Sequence, residues 1–363
     1  MKANLFYKIV ICSVLVLLSY KVQGQNKLSK QIKKTYPLTN NGALYLENKY
    51  GDVVISGWDK DQIEIVVNIE ANGKNTEKAQ ELLSLIHSNI EASNKLVVVK
   101  SEISNKNTGF FTKYLNKIDP FNNEKANTVI NYTISLPKYA KIEILNRYGD
   151  LVISDWNGEL KTNVEHGDIR ILDTITNSDV SIDYGKLRAN TLLESKVTAK
   201  EASISISNSK QLKLDSDGSE ITLGTVESLE LISNKDEFEA NQIHKVFGTV
   251  KYSTLVFNNV SSNVNLDLSL AELRLLKFNT AYPKLTINQR SSEVYVNISE
   301  TNFKFDARLE QGVLRIPKSL HNISSEVIDE KNKIRNITAS YKEQGEGAFY
   351  FKGIKGVIIL KEL

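Results

Sequence analysis

A short motif returns at near-constant spacing through the middle of this 363-residue chain, and it constrains the fold more than any other feature. Its anchor is usually a small or turn residue: Gly149, Gly167, Gly185, Ala202, Ser219, Asp236, Ser253, Ala271, Ser292 and Gly312. The spacing is 17 or 18 residues as far as Ala271, then 21 and 20. Two residues after each anchor stand Leu151, Ile169, Leu187, Ile204, Ile221, Phe238, Leu255, Leu273, Val294 and Leu314. Four after it stand Ile153, Ile171, Ala189, Ile206, Leu223, Ala240, Phe257, Leu275, Val296 and Ile316. Both columns are wholly apolar.

Residues two apart face the same side of a strand, so the two columns point inward together. One such repeat cannot bury its apolar face alone, whereas stacking at about 4.8 Å per repeat lets each cover the next. Each buried Leu or Ile contributes roughly 1.5–3 kcal/mol. The spacing therefore predicts an all-β chain whose body, residues 141–316, is a single-chain β-solenoid with rungs of 17–18 residues. The small anchors are expected at tight corners, where glycine takes positive φ without strain.

A longer copy of the motif, Asn146 to Trp156, matches Asn48 to Trp58 almost residue for residue, 98 positions earlier. Residues 25–140 read as a β-rich region that shares the repeat once. It carries a helix over about residues 76–93, with Asn75 as N-cap and an apolar stripe of Ala79, Leu82, Leu83, Ile86 and Ile90. From about Pro317 the register is lost, and residues 317–363 are expected to form a C-terminal cap over the last unpaired edge.

Residues 1–24 read as a signal peptide, with Lys2 and Lys8 before a 12-residue apolar run and a small-residue cleavage site at Val22-Gln23-Gly24. That run is too short to span a bilayer, which needs about 20 residues, so no membrane insertion of the mature chain is expected. Cleavage would remove the only cysteine, Cys12, and with it any disulfide, thiolate ligand or thiol nucleophile. It would also remove three lysines and no acid, leaving 43 basic against 43 acidic side chains. The apparent net charge of +3 therefore belongs to the leader, and no nucleic-acid partner is implied.

No catalytic or cofactor signature stands out. His87, His166, His244 and His321 lack metal-ligand spacing, and there is no Gly-x-Ser-x-Gly or phosphate-binding glycine loop. No cofactor or metal is expected. His166 falls in the position before the anchor, where Tyr148, Tyr184 and Tyr252 also stand, and reads as one member of an aromatic stack. Asp150, Asp168, Glu220, Glu237, Glu272 and Glu293 follow their anchors in an outward column. Such a ladder either binds Ca²⁺ or is charge-paired, with Arg170, Arg188, Arg274 and Arg315 two residues further on as the compensating cations. Trp58 and Trp156 share a place and read as corner packing. Within the polar segment Asn105 to Lys125, the aromatic Phe110, Phe111 and Tyr114 are the candidate binding residues.

With these residues in view, the chain resembles a bacterial family of exported β-strand-repeat proteins of unknown function, often labelled putative adhesins and including autotransporter-adhesin-like heads. Leu46-Glu47-Asn48-Lys49-Tyr50-Gly51-Asp52-Val53, Gly57-Trp58-Asp59-Lys60-Asp61, the amphipathic helix and the recurrent Tyr-Gly-Asp rungs carry the similarity, which looks nearest to versions from the Bacteroidetes. The resemblance implies a β-solenoid and an exported location, periplasmic or at the cell surface. The expected function is a non-enzymatic interaction platform for a protein or glycan of the cell envelope. A carbohydrate-active β-helix enzyme and a purely structural spacer are the alternatives.

Overall fold

The computed structural model describes residues 26–104, 128–342 and 346–363. The leader residues of the signal reading lie outside these, as do Phe110, Phe111 and Tyr114. In chain order the elements begin with β1 (Asn26–Pro37), β2 (Ala43–Lys49), β3 (Val53–Trp58) and β4 (Gln62–Gly73). The helix α1 (Thr76–Leu85), β5 (Ile86–Ala92), β6 (Leu96–Ile103) and β7 (Thr128–Pro137) follow. Next come β8 (Lys141–Arg147), β9 (Leu151–Ser154), β10 (Glu159–Glu165), β11 (Ile169–Asp183), β12 (Lys186–Lys200) and β13 (Ser203–Asp217). Then follow β14 (Glu220–Asn234), β15 (Glu237–Lys251), β16 (Thr254–Ser269), β17 (Glu272–Leu275), β18 (Lys284–Arg290) and β19 (Glu293–Asn297). The chain closes with β20 (Phe303–Glu310), β21 (Val313–Arg315), β22 (Leu320–Asp329), β23 (Ile334–Tyr341), β24 (Gly347–Ile354) and β25 (Val357–Lys361). The described residues are all-β apart from the one helix, and the sheet is mostly parallel.

The chain divides into two compact units. The larger comprises Ile32–Val67, Ser88–Glu102 and Ile130–Leu363. Within it the predicted columns are real rows of the sheet. Leu187, Ile204, Ile221, Phe238, Leu255, Leu273 and Val294 pair in register from strand to strand, all parallel. From Leu151 to Val294 the first column is at most 3% exposed, and from Ile153 to Val296 the second is at most 5%. The tenth repeat differs: Leu314 and Ile316 are only half-buried.

Chain order and spatial order part at both ends of this sheet. β2 pairs with β8 on one side and with β6 on the other, while β3 pairs with β9 and β7. The two long copies of the motif, 98 residues apart in sequence, are therefore adjacent in the sheet. Near the C-terminus, β24 lies between β18 and β20, and β25 between β19 and β21. Of residues 317–363, expected as a cap, β24 and β25 thus occupy an interior row, where Phe349 and Phe351 alternate inward like the other repeats. β20 meets β23 and β23 meets β22 in antiparallel register beyond that row.

The corners also differ from expectation. Positive φ falls on the residue before the anchor: Tyr148 (58°), His166 (56°), Tyr184 (58°), Lys235 (57°) and Tyr252 (54°). The left-handed conformation costs a non-glycine residue about 1–2 kcal/mol, which the flanking ladder overrides. Glycine at the anchor serves close approach instead. A Cβ on Gly149 would strike the carbonyl of Gly51, one on Gly167 that of Gly149, and one on Gly185 that of Gly167.

Later anchors carry side chains and use them. Ser219 Oγ accepts the Ala202 N–H at 3.2 Å, Asp236 Oδ1 the Ser219 N–H at 2.8 Å, and Ser253 Oγ the Asp236 N–H at 3.0 Å. Glycine corners and hydroxyl or carboxylate corners are two solutions to one packing problem.

The described residues of the smaller unit are 26–31, 68–87, 103–104 and 128–129. Its helix starts where predicted, with the Asn75 side chain accepting the Lys78 N–H at 2.9 Å and Glu77 in the first turn. It is shorter than the apolar stripe suggests, ending at Leu85 as β5 begins at Ile86. Ile86, Ser88 and Ile90 alternate with exposed His87 and Asn89, and this period of two prevails over the helical period beyond Leu85.

Candidate functional site

Because the larger unit keeps its register, outward side chains of one type line up across strands. The clearest such line is at the corners. Tyr50, Tyr148, His166 and Tyr184 stack face to face, with ring centroids 5.4, 5.0 and 4.9 Å apart and interplanar angles of 10° or less. The rings inherit this spacing from the strand separation of about 4.8 Å. Glu201 occupies the next corner and ends the ladder. Tyr148 is 42% exposed and Tyr184 43%, so the ring edges form an aromatic stripe in solvent. Lys49 Nζ lies 4.9 Å from the Tyr50 centroid and 5.8 Å from that of Tyr148, within cation–π range. His166 thus has the aromatic setting expected of it, and Tyr50 joins as a fourth ring.

Beside the upper end of this stripe opens a polar cleft of about 220 Å³ lined by Glu47, Lys49, Ser101, Arg147, Asn163 and Glu165. Arg147 is held by Glu165 at 2.9 Å. Asn163 Oδ1 is sheltered from solvent and accepts no hydrogen bond among the described residues. Behind the cleft, Ser101 Oγ lies 2.7 Å from the Tyr132 hydroxyl and donates to Asn48 Oδ1 at 2.9 Å. Burial pushes the Tyr132 phenol above its ordinary value, against the opposing hydrogen bonds to Ser101 and Ser88. The cleft therefore offers fixed donors and acceptors next to an aromatic wall, an arrangement suited to gripping a polar ligand.

The acidic column has a simpler role in its first members. Asn131 Oδ1 accepts the Asp52 N–H at 2.8 Å, Asp52 Oδ1 that of Asp150 at 2.9 Å, and Asp150 Oδ1 that of Asp168 at 2.9 Å. Asp168 Oδ1 accepts the Lys186 N–H at 3.0 Å. These side chains satisfy corner amides that the turning backbone leaves unpaired. Among the described residues no group of three or more His, Cys, Asp or Glu is placed to hold a metal ion. Of the four expected compensating arginines, only Arg274 makes an ion pair among the described residues, with Glu272. Glu220 and Glu237 stand directly opposite each other.

The matched tryptophans share a hydrogen-bonding habit and differ in burial. Trp156 is 1% exposed and donates through Nε1 to the Ala140 carbonyl at 3.0 Å. Trp58 is half-buried, donates to the Gln62 carbonyl at 2.7 Å and lies under Lys60, with Nζ 4.5 Å from the ring. Sequence reading overlooked the cleft because its wall joins Lys49 to Arg147. Aligning the two long copies of the motif as neighbours would have exposed it.

No protein-family profile matches this chain, and no curated protein matches it. Among solved structures, a putative adhesin from Parabacteroides merdae is similar at 10% identity, covering 92% of this chain and 97% of that one, with a TM-score of 0.33. A putative adhesin from Bacteroides fragilis is similar at 10% identity over the same shares, with a TM-score of 0.31. A putative lipid binding protein from Parabacteroides distasonis is similar at 12% identity, again over 92% and 97%, with a TM-score of 0.26.

Proposed function

We propose that this chain is a non-enzymatic exported protein, of the periplasm or cell surface, whose parallel sheet is a β-solenoid used as an interaction platform of the adhesin kind. One observation carries this reading: the solvent-facing ladder Tyr50–Tyr148–His166–Tyr184 beside a polar cleft. Aromatic edges and fixed polar groups repeated over several strands suit an elongated partner, a protein or glycan of the envelope. The family resemblance carried by the Tyr-Gly-Asp repeats supports the same reading, as does the leader-like N-terminus. Among the described residues no helix is long and apolar enough to cross a membrane.

The test pairs binding with location. The purified chain is applied to immobilised envelope glycans and peptides beside a Tyr148→Ser/Tyr184→Ser variant. Binding lost in the variant, with folding retained, is the expected result. Equal binding by the two would overturn the role of the ladder, and no binding by either would overturn the platform. Protease treatment of intact cells carrying a C-terminal tag places the protein: tag loss means surface, full protection periplasm, and a cytoplasmic fraction sinks export.

A further inference from the structure

A second surface in the larger unit is built differently from the aromatic stripe. Arg170 and Arg188 stand directly opposite each other on β11 and β12, and both are exposed. Like charges in that position destabilise a sheet. Among the described residues neither guanidinium has a carboxylate, hydrogen-bond or ring partner. Arg274, in the same outward column, is paired with Glu272. The two arginines instead flank an open groove of about 580 Å³, whose other polar lining is Asn190, Ser205 and Ser207, with Leu172 at its side.

Each of those neighbours has spare capacity. The Asn190 amide donates to the Leu172 carbonyl at 3.4 Å, which turns its own oxygen free as an acceptor. The Ser205 and Ser207 hydroxyls are exposed and unpartnered among the described residues. Leu172 is 54% exposed, an apolar side chain set beside two cations.

We infer that this groove binds an acidic saccharide. The paired guanidinium forks would take a carboxylate or sulfate, since arginine binds such groups bidentately. The serine hydroxyls and the Asn190 oxygen would meet sugar hydroxyls, and Leu172 would cover the apolar face of a ring. A bound anion would also relieve the repulsion between Arg170 and Arg188. This assignment rests on the interaction-platform reading and gives it a ligand class.

Titration calorimetry of the full chain tests it at about 50 mM salt, where surface charge is weakly screened. The probes are an oligogalacturonate, its neutral methyl ester, inorganic sulfate and phosphatidylglycerol vesicles. Oligogalacturonate is expected to bind, the methyl ester and an Arg170→Gln/Arg188→Gln variant each weakening binding about tenfold or more. Arg274→Gln is expected to bind like the parent. The double variant should melt no lower than the parent, because it removes a like-charge contact, so lost binding cannot be blamed on unfolding. The site falls if the parent ignores oligogalacturonate or the double variant binds it unchanged. It falls as a saccharide site if sulfate alone or the vesicles bind as tightly. Groove failure with binding still lost in Tyr148→Ser/Tyr184→Ser leaves the platform reading standing; failure of both surfaces removes it.

Discussion

Asp236 shows how much one side chain holds at a corner. It is 2% exposed, and its Oδ2 accepts from Ser216 Oγ and Ser233 Oγ, both at 2.6 Å, and from the Asn234 N–H at 3.1 Å. Its Oδ1 accepts the Ser219 N–H. A buried carboxylate is tolerable only when so fully satisfied. Asp236→Ala would strand the Ser219 and Asn234 amides and the Ser216 hydroxyl in a dry corner, while Ser233 Oγ keeps Ser253 Oγ at 3.0 Å. The expected loss is on the order of 3 kcal/mol in urea unfolding, and Asp236→Asn, which keeps one acceptor oxygen, should lose less. An unchanged midpoint for Asp236→Ala would refute this account. The anchor column was legible in the sequence, but this network was not. A small polar residue at a repeat position looks the same whether its side chain faces water or caps the neighbouring strand.

At the scale of elements, β24 and β25 matter most. Phe349 is fully buried and stacks on Phe303 of β20 at 3.9 Å, while Phe351 lies 5.6 Å from Phe305. Since this row separates β18 from β20, Phe349→Ala opens a cavity inside the sheet. It is expected to cost about 3–5 kcal/mol, with amide exchange rising in both β18 and β20. Fraying confined to β24 and β25 would instead mean a peripheral cap. The residue after β25 adds a tether: the Tyr341 hydroxyl of β23 donates to Glu362 Oε1 at 2.7 Å, and Ser319 Oγ to the same oxygen at 2.7 Å. Burial and the adjacent carboxylate push the Tyr341 phenol up to about 12, and the hydrogen bonds from Tyr341 and Ser319 hold Glu362 below the usual carboxylate range. The folded state thus keeps the tyrosine proton longer than the unfolded chain, whose phenol titrates near about 10. Stability from this group is complete below about pH 10 and declines as pH rises towards about 12. Glu362 acts oppositely, contributing above its unfolded value near about 4.3 and losing that contribution as pH falls. Tyr341→Phe should therefore flatten the decline of the urea midpoint between about pH 10 and 12. An identical slope in parent and variant would refute the tether.

For the larger unit as a whole, what could be read from the sequence and how it should fold share one cause, the distance along the chain between pairing partners. From β11 to β16 each strand pairs with residues 17–18 positions away, so one period in the sequence specifies both neighbours. The repeat from Gly149 to Val296 was readable for that reason. At the ends the partners are remote: Tyr45 pairs with Glu143 and Val98, and Phe349 with Leu285 and Phe305. No local periodicity announces such insertions, so β2 and β3 read as an outlying copy and β24 and β25 as a cap. The groove and the cleft were hidden for a related reason: each takes its lining from several strands, and only the register shows which residues meet. The same contrast sets the order of assembly. Local pairing closes short loops and is reached early, whereas joining Leu44 to Ile142 closes about a hundred residues first. Pulse-labelled hydrogen exchange during refolding should therefore protect β12 to β15 ahead of β2, β3, β24 and β25. In the native state the central strands should also exchange slowest, since stability in a repeat array is a sum over neighbouring contacts and the middle has neighbours on both sides. If β2 and β24 gained protection together with β13, the chain would fold as one cooperative unit, and sequence distance would not govern its assembly.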